Sequence, residues 1–159
     1  MPRKKILKKL RTVEPDPIYG NRLLAQFINR VMKDGKKTTA QKQVYAALEL
    51  LKKDHENPLE AFQTAIKNVS PQVEVRSRRI GGAAYQVPSP VRGNRKTSLA
   101  IRWLIWEAQK RSNKEYTTFA KKLAAEITDA LKEEGGAIKR KETIHKMADA
   151  NKAFSHFKW

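Results

Sequence analysis

Cysteine is absent from the sequence. Disulfides, zinc knuckles and thiol nucleophiles are thereby excluded, and the chain is compatible with a reducing compartment. No apolar run approaches the roughly 18 residues that a membrane-spanning helix requires. The three histidines, His55, His145 and His156, have no metal-ligand spacing. Acidic residues are missing from the first 13 positions and from the whole stretch between Arg76 and Trp106. The opening, Met1 to Arg11, is basic but has neither a long apolar segment nor a small-residue cleavage site, so it does not read as a secretory signal.

What is present is positive charge. The 159 residues hold 34 Lys and Arg against 16 Asp and Glu, a formal net charge of +18, with 40% hydrophobic residues. The apolar fraction is enough for one folded domain with a real core. So large an excess of one sign repels itself unless a polyanion neutralises it. Nucleic acid fits that requirement, because lysine and arginine on phosphate release condensed counterions. A merely soluble basic domain is the plain alternative.

Residues 1–17 read as an extended arm carrying Arg3, Lys4, Lys5, Lys8, Lys9 and Arg11, with Pro15 and Pro17 discouraging helix. From residue 18 onward the pattern predicts a single domain. Leu24, Phe27, Ile28 and Val31 share one helical face, and Asp34-Gly35 ends that helix with Lys36 and Lys37 exposed in the turn. Val44, Ala47, Leu48 and Leu51 mark a second helix. Asn57-Pro58 opens a third as N-cap and first helical residue, burying Phe62, Ile66 and Val69, and Ser70-Pro71 stops it. Alternation at Val73 and Val75, then Gly81-Gly82, then Tyr85 and Val87, predicts a two-stranded ribbon over residues 72–88. Such a ribbon is marginal alone and needs a support or a partner. A fourth helix, about Arg92 to Arg111, is apolar over a wide arc and reads as the central one. A fifth carries Phe119, Leu123, Ile127 and Leu131 and ends at Gly135-Gly136, and a sixth spans roughly 138–150. The fold class is therefore mainly α: a bundle-like domain of six helices over residues 18–159, with one projecting β-hairpin and a basic N-terminal arm.

No catalytic constellation emerges. Asp34-Gly35-Lys36-Lys37-Thr38 superficially resembles a phosphate loop, but Arg30 stands where its first glycine belongs and Lys37 where Ser or Thr belongs. The carboxylates are scattered among lysines on helix faces, as solvated ion pairs usually are. No enzyme activity, metal or cofactor is predicted.

The principal binding candidates follow from the acid-free segment: Arg76, Arg78, Arg79, Arg92, Arg95, Lys96 and Arg102. Arginine suits phosphate because its planar fork donates two parallel hydrogen bonds. A solvated hairpin with charges that protect its strand edges is the bland reading. Tyr85, Trp103, Trp106 and Trp159 are aromatic enough to stack on bases. Trp103 and Trp106, at helical spacing with Leu99, read instead as core, while Trp159 beside Lys158 reads as a partner contact. Lys139, Arg140 and Lys141 suit either a solvated turn or an RNA backbone. Tyr85, Arg111, Lys139, Arg140, Lys141 and Trp159 are thus secondary candidates. Charge does not separate DNA from RNA. The lack of a short helix-turn-helix favours structured RNA, with a general DNA-compacting protein as the rival.

Longer runs are more specific. Gly81-Gly82-Ala83-Ala84-Tyr85-Gln86-Val87-Pro88, then Val91-Arg92, then Leu99-Ala100-Ile101-Arg102-Trp103-Leu104, resemble the family of protein seven of the small ribosomal subunit in its bacterial form. Asp16-Pro17-Ile18-Tyr19, Phe27-Ile28-Asn29, Asp34-Gly35-Lys36-Lys37 and the ending from His145 to Phe154, closing on Trp159, are similar to that family's opening, first turn and tail. The resemblance covers essentially the whole chain. It implies a six-helix bundle with a β-hairpin that binds the 3′ major domain of small-subunit ribosomal RNA and nucleates assembly of the head. It implies a location at the subunit interface, near the decoding region and the exit-site transfer RNA, with messenger RNA nearby. Small-subunit ribosomal proteins nine and eleven would be neighbours. The arm, the Lys36-Lys37 turn and the Arg76–Arg102 region would face RNA, in a cytoplasmic ribosome. Phe119 and Lys122 depart from the family's usual Met and Arg; Lys122 gives up a bidentate fork and is not a candidate contact.

Overall fold

Asp16 is the first residue that the body of the protein holds in place. In the computed structural model, which describes residues 13–157, its Oδ2 accepts the backbone N–H groups of Ile18 and Tyr19 at 3.2 and 3.1 Å, and its Oδ1 accepts the Tyr45 hydroxyl at 2.6 Å. Asp16 is buried, so the last residues of the stretch expected as an arm are part of the packed body. Arg3, Lys4, Lys5, Lys8, Lys9, Arg11 and Trp159 lie outside the described residues.

Among the described residues, six α-helices and one hairpin follow: α1 (Arg22–Val31), α2 (Lys37–Leu51), α3 (Pro58–Val69), β1 (Val73–Ile80), β2 (Ala83–Pro90), α4 (Asn94–Lys110), α5 (Phe119–Leu131) and α6 (Gly135–Ala150), then a 3-10 turn at Lys152–Phe157. Asn21 caps α1, its Oδ1 accepting from Leu23 and Leu24 N–H at 2.8 and 3.1 Å. Leu24, Phe27 and Ile28 are buried on its inner face, as the period predicts. The turn into α2 uses left-handed backbone at Asp34 (φ 52°) and Gly35 (φ 72°), the conformation for which Asp-Gly is suited. Pro58 opens α3 as expected, but Asn57 makes no side-chain cap bond. Phe62 on α3 meets Phe27 on α1 edge to face, with ring centroids 5.1 Å apart. Truncating either fully buried ring to alanine is expected to cost about 3–5 kcal/mol.

The centre is shared. α4 packs on α1, α3, α5 and α6, and α5 packs on α2, α3, α4 and α6. The buried side of α4 is centred on the Ala100–Leu104–Ala108 row, with Ile101, Trp103 and Ile105 flanking it. Trp106 corrects an expectation: it stands at the margin of that arc, is 46% exposed, and is not core. The period places it beside Leu99, which is in the core, but Trp106 lies at the edge of the arc, where Lys110 and Arg140 lie over its ring.

Two boundaries also differ. α5 ends at Leu131, and Gly135-Gly136 begin α6 instead of ending α5. The reason is close approach. A Cβ on Gly135 (φ 89°) would lie 3.0 Å from Asp129 Cβ, and one on Gly136 would lie 3.1 Å from the Glu107 side chain. Strand β2 runs two residues past the expected end at Pro88, to Pro90, pairing antiparallel with β1 from Val73↔Pro90 to Ile80↔Ala83. The support the ribbon requires is α6, which packs on both strands, and the 3-10 turn, which packs on β2.

A basic face across the hairpin, α4 and α1

At the foot of the hairpin, the acid-free segment meets an acid. Glu74 lies two residues before Arg76, so alternation puts both on one face of β1. Its carboxylate accepts Arg76 Nε at 2.5 Å, and Arg95 Nε at 2.9 Å on Oε1 and 2.7 Å on Oε2. Arg95 Nη2 stands 2.7 Å from Oε2. Burial alone would push the Glu74 carboxyl up; the hydrogen bonds from Arg95 and Arg76 outweigh it and hold the group below its ordinary value. The same contacts hold the Arg95 guanidinium above its ordinary value. Sequence reasoning missed Glu74 because only the fold brings the first turn of α4 against β1.

At the tip, Gly81 (φ 56°) and Gly82 (φ 91°) form the two-residue loop, both in the left-handed region that such a turn requires. Arg79 is exposed beside it. Arg78 is half-buried across the ladder from Tyr85 and is engaged within the protein. Tyr85 packs its ring against Phe154 and Phe157 of the 3-10 turn, at 5.3 Å from each. His145 on α6 accepts the Gln72 N–H at 3.2 Å, and Gln72 O accepts the Val91 N–H at 2.9 Å, closing the hairpin's base.

Beyond the hairpin, Arg92, Arg95 and Arg102 are exposed and Lys96 is half-buried. Two shallow grooves link this region to the rest of the chain. One, of about 390 Å³, runs between α1 and α4 past Asn29, Arg30, Asn94 and Ser98. The other, of about 520 Å³, runs past Asn29, Asp16, Lys37 and Gln41. Val13 and Asn29 line both. The chain entering from the arm, the start of α2 and the first turns of α4 therefore share one face. Gln26, Asn29, Arg30 and Asn94 are exposed on it and were not singled out from sequence. Their only sequence signal is position on the polar side of α1 and at the start of α4. Lys36 and Lys37 are both exposed, but Lys37 is the first residue of α2, and Lys36 borders a separate apolar groove that includes Gln109 and Phe119.

Other candidates are occupied internally. Arg111 is turned inward: Nη2 lies 2.6 Å from Glu126 Oε2 and also pairs with Asp129. Desolvation would lower its pKa, but hydrogen bonds to Asp129 and Glu126 win and raise it. The guanidinium of Arg140 lies 4.2 Å from the centre of the Trp106 ring, with Nη1 3.3 Å from Glu107. Lys141 Nζ donates to Asn68 O at 2.7 Å. Lys139 is exposed on α6. Among the described residues, no group of three or more His, Asp and Glu is arranged to hold a metal ion, and no helix is long and apolar enough to cross a membrane.

Comparison with known proteins adds a full-length match. The sequence profile described as ribosomal protein S7p/S5e matches residues 2–152. The chain belongs to the ribosomal protein S7p/S5e family. It is similar to the small ribosomal subunit protein uS7 of Alkalilimnicola ehrlichii, 52% identical over the full length of both chains. The uS7 protein of Petrotoga mobilis is 54% identical over 94% of this chain and 95% of its own. That of Lawsonia intracellularis is 54% identical over the full length of both. The family is structural and not enzymatic.

Phe119 and Lys122, expected from the resemblance to differ from the family's usual residues, each have a local account. Phe119 is the first residue of α5 and half-buried, so its effect is on packing. Lys122 is buried and donates to Asn113 Oδ1 at 2.6 Å, which ties the α4–α5 loop to α5. Its ammonium is thus engaged within the chain.

Proposed function

We propose that this chain is a structural protein of the small ribosomal subunit whose basic face binds ribosomal RNA directly. The observation that carries the reading is the set of exposed cations on the acid-free stretch from Arg76 to Arg102. Arg79, Arg92, Arg95 and Arg102 are all exposed, and the groove past Arg30 and Asn94 shares Val13 and Asn29 with the groove past Lys37; so many exposed cations suit a polyanion. Membership in the S7p/S5e family supports the ribosomal setting.

The finer reading comes from the family resemblance. The RNA is the 3′ major domain of small-subunit ribosomal RNA, binding nucleates assembly of the head, and the protein lies at the subunit interface near the decoding region. The hairpin is assigned to the neighbourhood of the exit-site transfer RNA and messenger RNA. Small-subunit proteins nine and eleven are the protein neighbours. Arg3, Lys4, Lys5, Lys8, Lys9 and Arg11 of the arm add phosphate contacts, and Lys36, Lys37, Arg76, Arg78, Arg79, Arg92, Arg95, Lys96 and Arg102 supply those of the body, residues 18–159. Tyr85, Lys139 and Trp159 remain secondary contacts.

Chemical footprinting of a 3′-domain RNA fragment tests this reading. Protection is expected at submicromolar protein and should persist against excess duplex DNA. No protection at that concentration would overturn it, and equal displacement by any duplex would favour a general nucleic-acid compactor.

A further inference from the structure

We propose that Glu74, Arg76 and Arg95 form a preassembled site for one RNA phosphate, with the two guanidiniums as its ligands and Glu74 as their positioning residue. This rests on the RNA-binding reading above and specifies part of it.

A carboxylate at the hairpin's foot is side by side with two arginines from different elements, β1 and the first turn of α4. Glu74 has 9% of its side chain exposed, while Arg76 and Arg95 keep 48% and 53%. Each arginine gives Nε and Nη2 to Glu74. Neither Nη1 has a partner among the described residues. A guanidinium has five N–H donors in a fixed fork. Fixing one edge on Glu74 therefore fixes the direction of the other, which stays open to solvent.

Two functions compete for this arrangement. As a fold-stabilising contact it neutralises the buried Glu74 carboxylate, which leaves the half-exposed outer sides of both arginines without a role. As a bare electrostatic element it would be counterproductive, because Glu74 cancels one positive charge where phosphate would sit. Positioning accounts for both facts. Two long side chains held before binding do not have to be ordered by the RNA, and their spacing is set in advance. A phosphate oxygen then meets two directed donors, the arrangement in which arginine is most effective. The triad keeps a net charge of +1.

The test turns on a sign. Glu74→Gln removes one negative charge, so charge alone predicts tighter binding and a steeper salt slope. Positioning predicts the reverse for the specific partner: about tenfold weaker binding to the 3′-domain RNA fragment, with affinity for random duplex RNA unchanged or higher. Arg95→Lys retains the charge but not the fork, and should also weaken specific binding by about tenfold. In an Arg76→Ala, Arg95→Ala background, Glu74→Gln should produce no further loss of specific affinity, as it must if Glu74 acts only through those two guanidiniums. Circular dichroism verifies that each variant is folded. If Glu74→Gln does not fold, Arg95→Lys decides alone. Wild-type protein that binds while either variant binds as tightly would overturn the phosphate site and leave the RNA reading standing. Failure of the wild-type protein to bind would instead overturn the RNA reading.

Discussion

Arg111 and Glu126 join the end of α4 to the middle of α5, with Nη2 2.6 Å from Oε2. The other oxygen of Glu126 accepts the Ala137 N–H at 2.9 Å, so one carboxylate also anchors the first turn of α6. With 17% and 2% of their side chains exposed, the pair lies inside the bundle. Removing one member leaves a buried charge without its partner. Arg111→Ala is therefore expected to lower stability by about 3 kcal/mol and the melting temperature by roughly 10 °C. Below that transition its RNA affinity and salt slope should match wild type. A reduced slope with unchanged melting would mean Arg111 reaches RNA.

Tyr45 gives an alkaline signature. Burial, followed by its hydrogen bond to Asp16, pushes its pKa from 10.0 up to about 12. The folded state thus favours the neutral phenol more than the unfolded chain does. Its contribution is complete below pH 10 and lost as pH rises toward 12. Spectrophotometric titration should show a tyrosine ionisation near pH 12 that Tyr45→Phe abolishes. A wild-type titration without that late step would contradict the geometry.

The salt dependence of RNA binding should separate exposed from occupied cations. Arg79→Ala combined with Arg102→Ala removes two exposed guanidiniums and should reduce the salt slope by about 1–2. Arg140→Ala removes a guanidinium already on Trp106 and Glu107, and should leave the slope near wild type. The opposite ranking would relocate the binding face to α6.

Tyr85 serves as the underside of the C-terminal turn, through Phe154 and Phe157. Tyr85→Ala should speed amide hydrogen exchange over residues 152–157 while leaving the core of α4 protected. Unchanged exchange there would show that the turn is held by α6 alone.

Much of the fold is legible in the amino-acid sequence. The rows Leu24–Phe27–Ile28, Val44–Ala47–Leu48–Leu51 and Phe62–Ile66–Val69 are all buried as their spacing predicts. Gly81-Gly82 turns the hairpin with the left-handed backbone that a glycine pair favours. These features depend on neighbours within about one or two helical turns, or across a two-residue loop, where period and backbone sterics decide. Trp106 escapes that reasoning because periodicity shows that a stripe exists but not which of its edges the bundle covers. Gly135-Gly136 escapes it because a glycine pair reads the same whether it ends a helix or lets the next one approach Glu107 and Asp129.

The basic face divides along the same line. Its sign, its main segments and the family are properties of the chain in order, since charge and motif need no fold to exist. Which of its cations are exposed is settled by packing. Glu74 meets Arg95 across 21 positions, Arg111 meets Glu126 across 15, and Lys141 meets Asn68 across 73. Hydrogen bonds act over about 3 Å. Whether an arginine faces phosphate or a carboxylate of its own chain is therefore fixed only when distant elements come together.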